Sequence, residues 1–139
     1  MHADCIFCKI IQGHVPCTKV YEDEETLAFM DIGPVVKGHT LVIPKAHHNP
    51  ITDTPLPVLQ NLISVVQRIA HAQVKGLQAD GINVSQANGR TAGQVVPHIH
   101  FHVIPRFASD GHHWNWIPRQ YDSPAEMQDF AERIKQALP

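Results

Sequence analysis

Long apolar runs are missing from this chain. No stretch of membrane-spanning length interrupts its 139 residues, and Met1-His2-Ala3-Asp4 lacks the cationic lead-in of a secretion signal. The expectation is a cytoplasmic protein that touches no membrane. Charge of one sign is scarce as well: eleven Lys and Arg stand against thirteen Asp and Glu, for a net charge of -2. Nucleic acid is therefore not the partner to expect first, because backbone binding needs Lys and Arg gathered on one surface. There are three cysteines, an odd number, two of them at Cys5-x-x-Cys8. That argues against a disulfide scaffold and fits thiol or metal chemistry in a reducing compartment. Repeats, low-complexity tracts and a second domain are also absent. Residues 1–139 read as one domain, long enough to bury roughly two-thirds of its unfolded surface.

Histidine is what the chain has in excess, with eleven. Three of them alternate with apolar residues in Pro97-His98-Ile99-His100-Phe101-His102-Val103-Ile104-Pro105. In an extended chain successive side chains point to opposite faces, so Ile99, Phe101 and Val103 enter a core while His98, His100 and His102 line the other side. Residues two apart lie roughly 6.5 to 7 Å from each other, too far for three rings to converge on one ion. The row is therefore divided between different tasks. A single half-buried histidine is usually just hydrogen-bonded; three in strict alternation point to a site.

The remaining pattern is that of an α+β domain: about five strands in mostly antiparallel order with helices laid on one side. Asp4 is placed to cap a short helix over 5–12 that Gly13 ends. Strands are expected over 18–22, 26–31 and 39–44, the last stopped by Pro44. Thr54-Pro55 opens a long core helix with an apolar stripe of Leu59, Leu62, Ile63, Val66, Ile69 and Ala70 that fades near Gly76. A strand over 81–86, a glycine-punctuated loop over 88–94 and the histidine strand make an antiparallel pair. An irregular segment holding Trp114 and Trp116 follows. Ser123-Pro124-Ala125-Glu126 then forms a capping box before a final helix bearing Met127, Phe130, Ile134 and Leu138.

Cys5 and Cys8, three apart on a helix, aim their sulfurs one way and form half of a tetrahedral zinc site. The other half has to come from His47, His48 or His98. A redox pair and two packed thiols are the alternatives at this point. With His98 given to metal, His100 and His102 face the cleft beside Asn88, Gly93 and Gln94. A neutral imidazole is a good nucleophile, and its phosphorus adducts are reactive enough to turn over. The loop supplies N–H groups that suit phosphoryl oxygens. His98 and His100 sharing one open-coordinate catalytic zinc is the competing arrangement.

His98-Ile99-His100-Phe101-His102-Val103-Ile104 resembles the His-φ-His-φ-His-φ-φ signature of the histidine triad (HIT) superfamily, and the arrangement is most similar to its Hint branch. The resemblance spans nearly the whole chain, through Ile6–Ile11, Ala28–Ile32, Gly38–His47, Asn88-Gly89 and Ala92-Gly93-Gln94. It implies the HIT fold, a five-stranded mostly antiparallel sheet with a short N-terminal helix, a long central helix and a C-terminal helix. It also implies a homodimer whose two sheets join, and hydrolysis of purine nucleotides at the α-phosphorus. By carry-over His100 is the nucleophile and His102 assists at the phosphate and leaving group. Asp31 holds the ribose, while Phe7, Ile10, Val15, Phe29 and Ile32 surround the purine. Asn88, Gly93 and Gln94 lie on the phosphate side. A structural zinc falls on Cys5, Cys8, His47 and His98. The implied activity is a nucleoside phosphoramidase, with dinucleoside polyphosphate hydrolysis or a nucleotide-binding adaptor as alternatives. Val95 departs from the Ser or Thr that many Hint-like members carry after the glutamine.

Overall fold

In a computed structural model, which describes residues 2–113 and 117–139, five strands form a single antiparallel sheet. They are β1 (Lys19–Glu22), β2 (Thr26–Met30), β3 (Thr40–Pro44), β4 (Gly81–Ser85) and β5 (Phe101–Arg106), arranged β1-β2-β3-β5-β4. The three helices are α1 (Ile6–Ile11), α2 (Leu56–Leu77) and α3 (Pro124–Ala137). The Trp114 and Trp116 segment lies outside the described residues.

The central strands β2 and β3 are buried on both faces, and each face has its own cluster. Ala28, Val42, Ile99 and Val103 pack with Leu62, Val65, Val66 and Ile69 of α2. Leu27, Phe29, Leu41 and Ile43, one residue out of phase, pack with Cys5, Phe7 and Cys8 of the α1 region. The expectation of helices on one side is thus corrected: α1 and α2 take opposite faces. Period-two alternation across two covered faces produces that result. The third helix joins neither cluster, for none of its residues is buried.

Several boundaries differ from the sequence expectation for local reasons. Cys5, not Asp4, caps α1, its sulfur accepting the Cys8 N–H at 3.4 Å. Thr54 does not cap α2; its hydroxyl donates instead to the Pro50 carbonyl, and Pro55 holds the cap position without a side-chain bond. Ile63, placed in the apolar stripe, is 52 % exposed, whereas Val65 and Gln73, left out of it, are buried. At α3, Ser123 accepts the Glu126 N–H as a capping box requires, but Glu126 reaches back to the N–H of Asp122. Regular pairing of β5 starts at Phe101, so only His102 of the histidine row lies within a paired strand. The alternation nevertheless persists, since Ile99 and Val103 enter the α2 cluster.

Candidate functional site

The histidine row runs beneath α1, on the face that β3 shares through Leu41, the partner of His102. Its three rings differ in what they bond, and that settles which nitrogen of each is free.

His98 is fully buried. Its Nε2 lies 2.9 Å from the Pro44 carbonyl, which can only accept, so the proton is on Nε2 and the Nδ1 lone pair turns toward the thiols. Nδ1 stands 3.4 Å from Cys5 Sγ and 3.7 Å from Cys8 Sγ, and His47 Nδ1 is 3.3 Å from Cys8 Sγ. The four ligand atoms all lie within 4.8 Å of one another. Zinc–sulfur bonds near 2.3 Å and zinc–nitrogen bonds near 2.0 Å give tetrahedral S···N edges of about 3.5 Å, so the donor set fits a four-coordinate ion. The carbonyl held by His98 is the kind of outer partner that orients metal-bound imidazoles. Of the adjacent pair, His47 joins the cluster, while His48 contributes its backbone carbonyl to the Ile99 N–H. Burial pushes the Cys5 thiol up and takes His98 down to about 4.

His100 is bonded the other way round. Its Nδ1 donates to the His98 carbonyl at 2.8 Å, leaving the Nε2 lone pair unengaged. Burial lowers its pKa, partly offset by that hydrogen bond and by Asp31, and the ring stays neutral at pH 7. Phe7 packs edge-on against it with ring centres 5.1 Å apart.

His102 is oriented by a residue that the sequence reading placed only in a strand. The Val35 N–H donates to His39 Nδ1 at 3.1 Å, so neutral His39 carries its proton on Nε2. That Nε2 lies 2.8 Å from His102 Nδ1 and 3.6 Å from Asp31 Oδ2. His102 Nδ1 therefore accepts, and the His102 proton sits on Nε2. Burial first, and then the neighbouring His100 and His39, bring His102 down to about 4. A histidine directly after a glycine, at the mouth of an apolar strand, was the one sequence signal for His39, and it does not name a partner.

A cavity of about 450 Å³ opens over His100 and His102. Phe7, Ile10, Val15, Phe29 and Ile32 line it, together with Asp31, Gly93 and Val95. Ile32 is a fully exposed rim residue, and Asp31 accepts the Gly33 N–H through Oδ1. Two of the expected residues are placed elsewhere. Asn88 accepts the Ile51 N–H and bonds Gln86, away from the cavity. Gln94 accepts the Gly89 N–H and donates to Asn49 and to the Val96 carbonyl, lining a neighbouring cavity that meets the first at Gly93 and Val95. Both amides brace the loop that carries Gly93, whose φ of 96° favours glycine.

The chain as a whole is similar to known proteins. A family model described as the HIT domain matches residues 12–109. The crystal structure of a HIT-family protein from Bacillus subtilis superposes with a TM-score of 0.90 at 41 % identity, covering 98 % of each chain. An adenosine 5'-monophosphoramidase from Candida albicans is 39 % identical, over 99 % of this chain and 93 % of its own. A zinc-bound histidine triad family protein from Mycobacterium smegmatis superposes with a TM-score of 0.77 at 40 % identity, covering 97 % of this chain and 98 % of its own.

Proposed function

The chain belongs to the HIT-domain family, and on that footing we propose that it hydrolyses the phosphorus–nitrogen bond of purine nucleoside 5'-phosphoramidates through a nucleotidyl-His100 intermediate. One observation carries the reading: the His98 carbonyl accepts a hydrogen bond from the Nδ1–H of His100, which leaves the Nε2 lone pair of a neutral ring inside an apolar-walled cavity. The adenosine 5'-monophosphoramidase among its relatives supports the choice of leaving group.

In this reading the purine packs among Phe7, Ile10, Val15, Phe29 and Ile32, and Asp31 accepts from the ribose hydroxyls. The Gly93 loop, braced by Asn88 and Gln94, faces the phosphate. His100 Nε2 attacks phosphorus as the phosphorus–nitrogen bond breaks, and the departing nitrogen takes a proton from solvent. Water then attacks the adduct, restores neutral His100 and returns the proton. Throughout, His102 donates its Nε2–H to a phosphoryl oxygen or the leaving nitrogen, which stabilises charge where it develops. Cys5, Cys8, His47 and His98 hold a structural zinc, whose chemistry is to tie α1 to the sheet and so keep Phe7 against His100. We further place the working protein in the cytoplasm as a homodimer.

The test is steady-state turnover of adenosine 5'-phosphoramidate and of diadenosine tetraphosphate by wild type and His100→Ala. We expect the phosphoramidate to be preferred, and the variant to lose at least about a thousandfold in kcat. Preference for the polyphosphate would overturn the leaving group. Nucleotide binding without turnover would make the protein an adaptor.

A further inference from the structure

Gln73 is the one polar residue among the buried positions of α2, only 4 % exposed. Its Nε2 donates to the Val103 carbonyl at 2.9 Å and the Gly38 carbonyl at 3.0 Å, with Thr40 Oγ1 at 3.4 Å. Its Oε1 has no partner among the described residues. Turning the amide over would set that oxygen against two carbonyls, so the orientation is fixed by its surroundings. An unpaired buried oxygen is unfavourable, and an aliphatic side chain would avoid it. The amide is therefore in place for what its nitrogen holds.

What it holds are the two chain segments that carry the His39–His102 pair. Gly38 precedes His39, and Val103 follows His102. The registered pairing of β3 with β5 ends at Thr40 and Val103. Pro105, lacking an N–H, offers no donor to continue it. Just outside that last pair, His39 reaches diagonally to His102, the partner of Leu41, at 2.8 Å on one face of the sheet, and Gln73 approaches from the α2 face to bridge the backbones. Gly38 fits this closure because a Cβ there would lie 2.7 Å from Leu77 and 2.8 Å from Pro105, at a φ of 104°.

We propose that Gln73 is a positioning residue for His102: by holding the Gly38 and Val103 carbonyls on one amide, it fixes the His39–His102 hydrogen bond and hence the nitrogen from which His102 donates. The inference rests on the proposed role of His102 in phosphoramidate hydrolysis.

The experiment is a double-mutant cycle of Gln73→Met and His39→Ala on adenosine 5'-phosphoramidate, with Val66→Ala as a control that destabilises the same helix. Gln73→Met is expected to lower kcat about tenfold with KM within twofold, and His39→Ala to add little once Gln73 is changed. Val66→Ala, assayed well below its melting temperature, keeps wild-type kcat. Losses that multiply independently, an unchanged kcat in Gln73→Met, or an equal loss in Val66→Ala would each overturn the proposal. Should Gln73→Met fail to fold, Gln73→Asn, too short to span both carbonyls, takes its place in the same cycle. Failure of the underlying reading is separate, because it appears as full turnover in His100→Ala.

Discussion

At the residue scale, three histidines two positions apart adopt two proton arrangements, on Nε2 at His98 and His102 and on Nδ1 at His100, each set by one neighbour. A carbonyl fixes His98 and another fixes His100, while His39 fixes His102. Burial then keeps the rings neutral, which makes the pH dependence calculable in sign. His102 titrates near 6.5 when unfolded but at about 4 in the folded protein. The unfolded chain thus binds the extra proton first, so this stabilising contribution is complete above about pH 6.5 and is lost as pH falls from there toward 4. Urea midpoints at pH 7 and pH 5 check the direction, the lower pH giving the lower midpoint. For the same reason kcat/KM should remain level through pH 6.5, whereas a fall centred there would mean a histidine with ordinary solvation. The row, and the expectation that its rings would be divided between tasks, were legible from alternation, whereas the task of each ring came from the family resemblance. The role of His39 was not, because its partner lies 63 residues away and only the β3–β5 register brings them together.

At the scale of elements, α1 spans six residues, too few to persist alone. It is held by Phe7 in the cluster with Leu27, Phe29, Leu41 and Ile43 and by the Cys5, Cys8, His47 and His98 set. Cys5→Ser with Cys8→Ser should therefore abolish zinc binding and lower the melting temperature by roughly 10 °C or more. The KM for nucleotide should rise with it, since Phe7 lines the cavity. Metal analysis and calorimetry check the first two; zinc retained by the double variant would refute the ligand set. Sequence pattern located α1 and α2 but mistook both caps. Asp4 and Thr54 have the usual capping chemistry, but the Cys5 sulfur takes the Cys8 N–H, and Thr54 turns back to Pro50. Ile63 was assigned inward by its apolarity, whereas the helix buries Gln73, whose amide bonds the carbonyls of Gly38, just before β3, and of Val103 in β5.

At the scale of the whole molecule, the sheet separates two jobs: α2 and its aliphatic cluster support one face, and the cavity opens on the other. Among the described residues no helix is long and apolar enough to cross a membrane. The order β1-β2-β3-β5-β4 could not be read from the sequence, which gives strands and turns but not which non-consecutive strands meet. It leaves β1 and β4 at the edges, and an open edge invites pairing with a second chain. On β4, Val84 is 47 % exposed. If two sheets join there, sedimentation equilibrium will give twice the 15.5 kDa chain mass, and Val84→Lys will weaken association at least about a hundredfold. A monomeric wild type at micromolar concentration would contradict the joined sheet.

Most of this turns on whether phosphorus becomes bonded to His100. The direct measurement is a millisecond quench of wild-type protein with adenosine 5'-phosphoramidate labelled in the nucleotide, followed by peptide mapping. A nucleotidyl group is expected on the peptide containing His100, present only during turnover and missing in His100→Ala. Product accumulating at the full rate with no label ever appearing on His100 would contradict it.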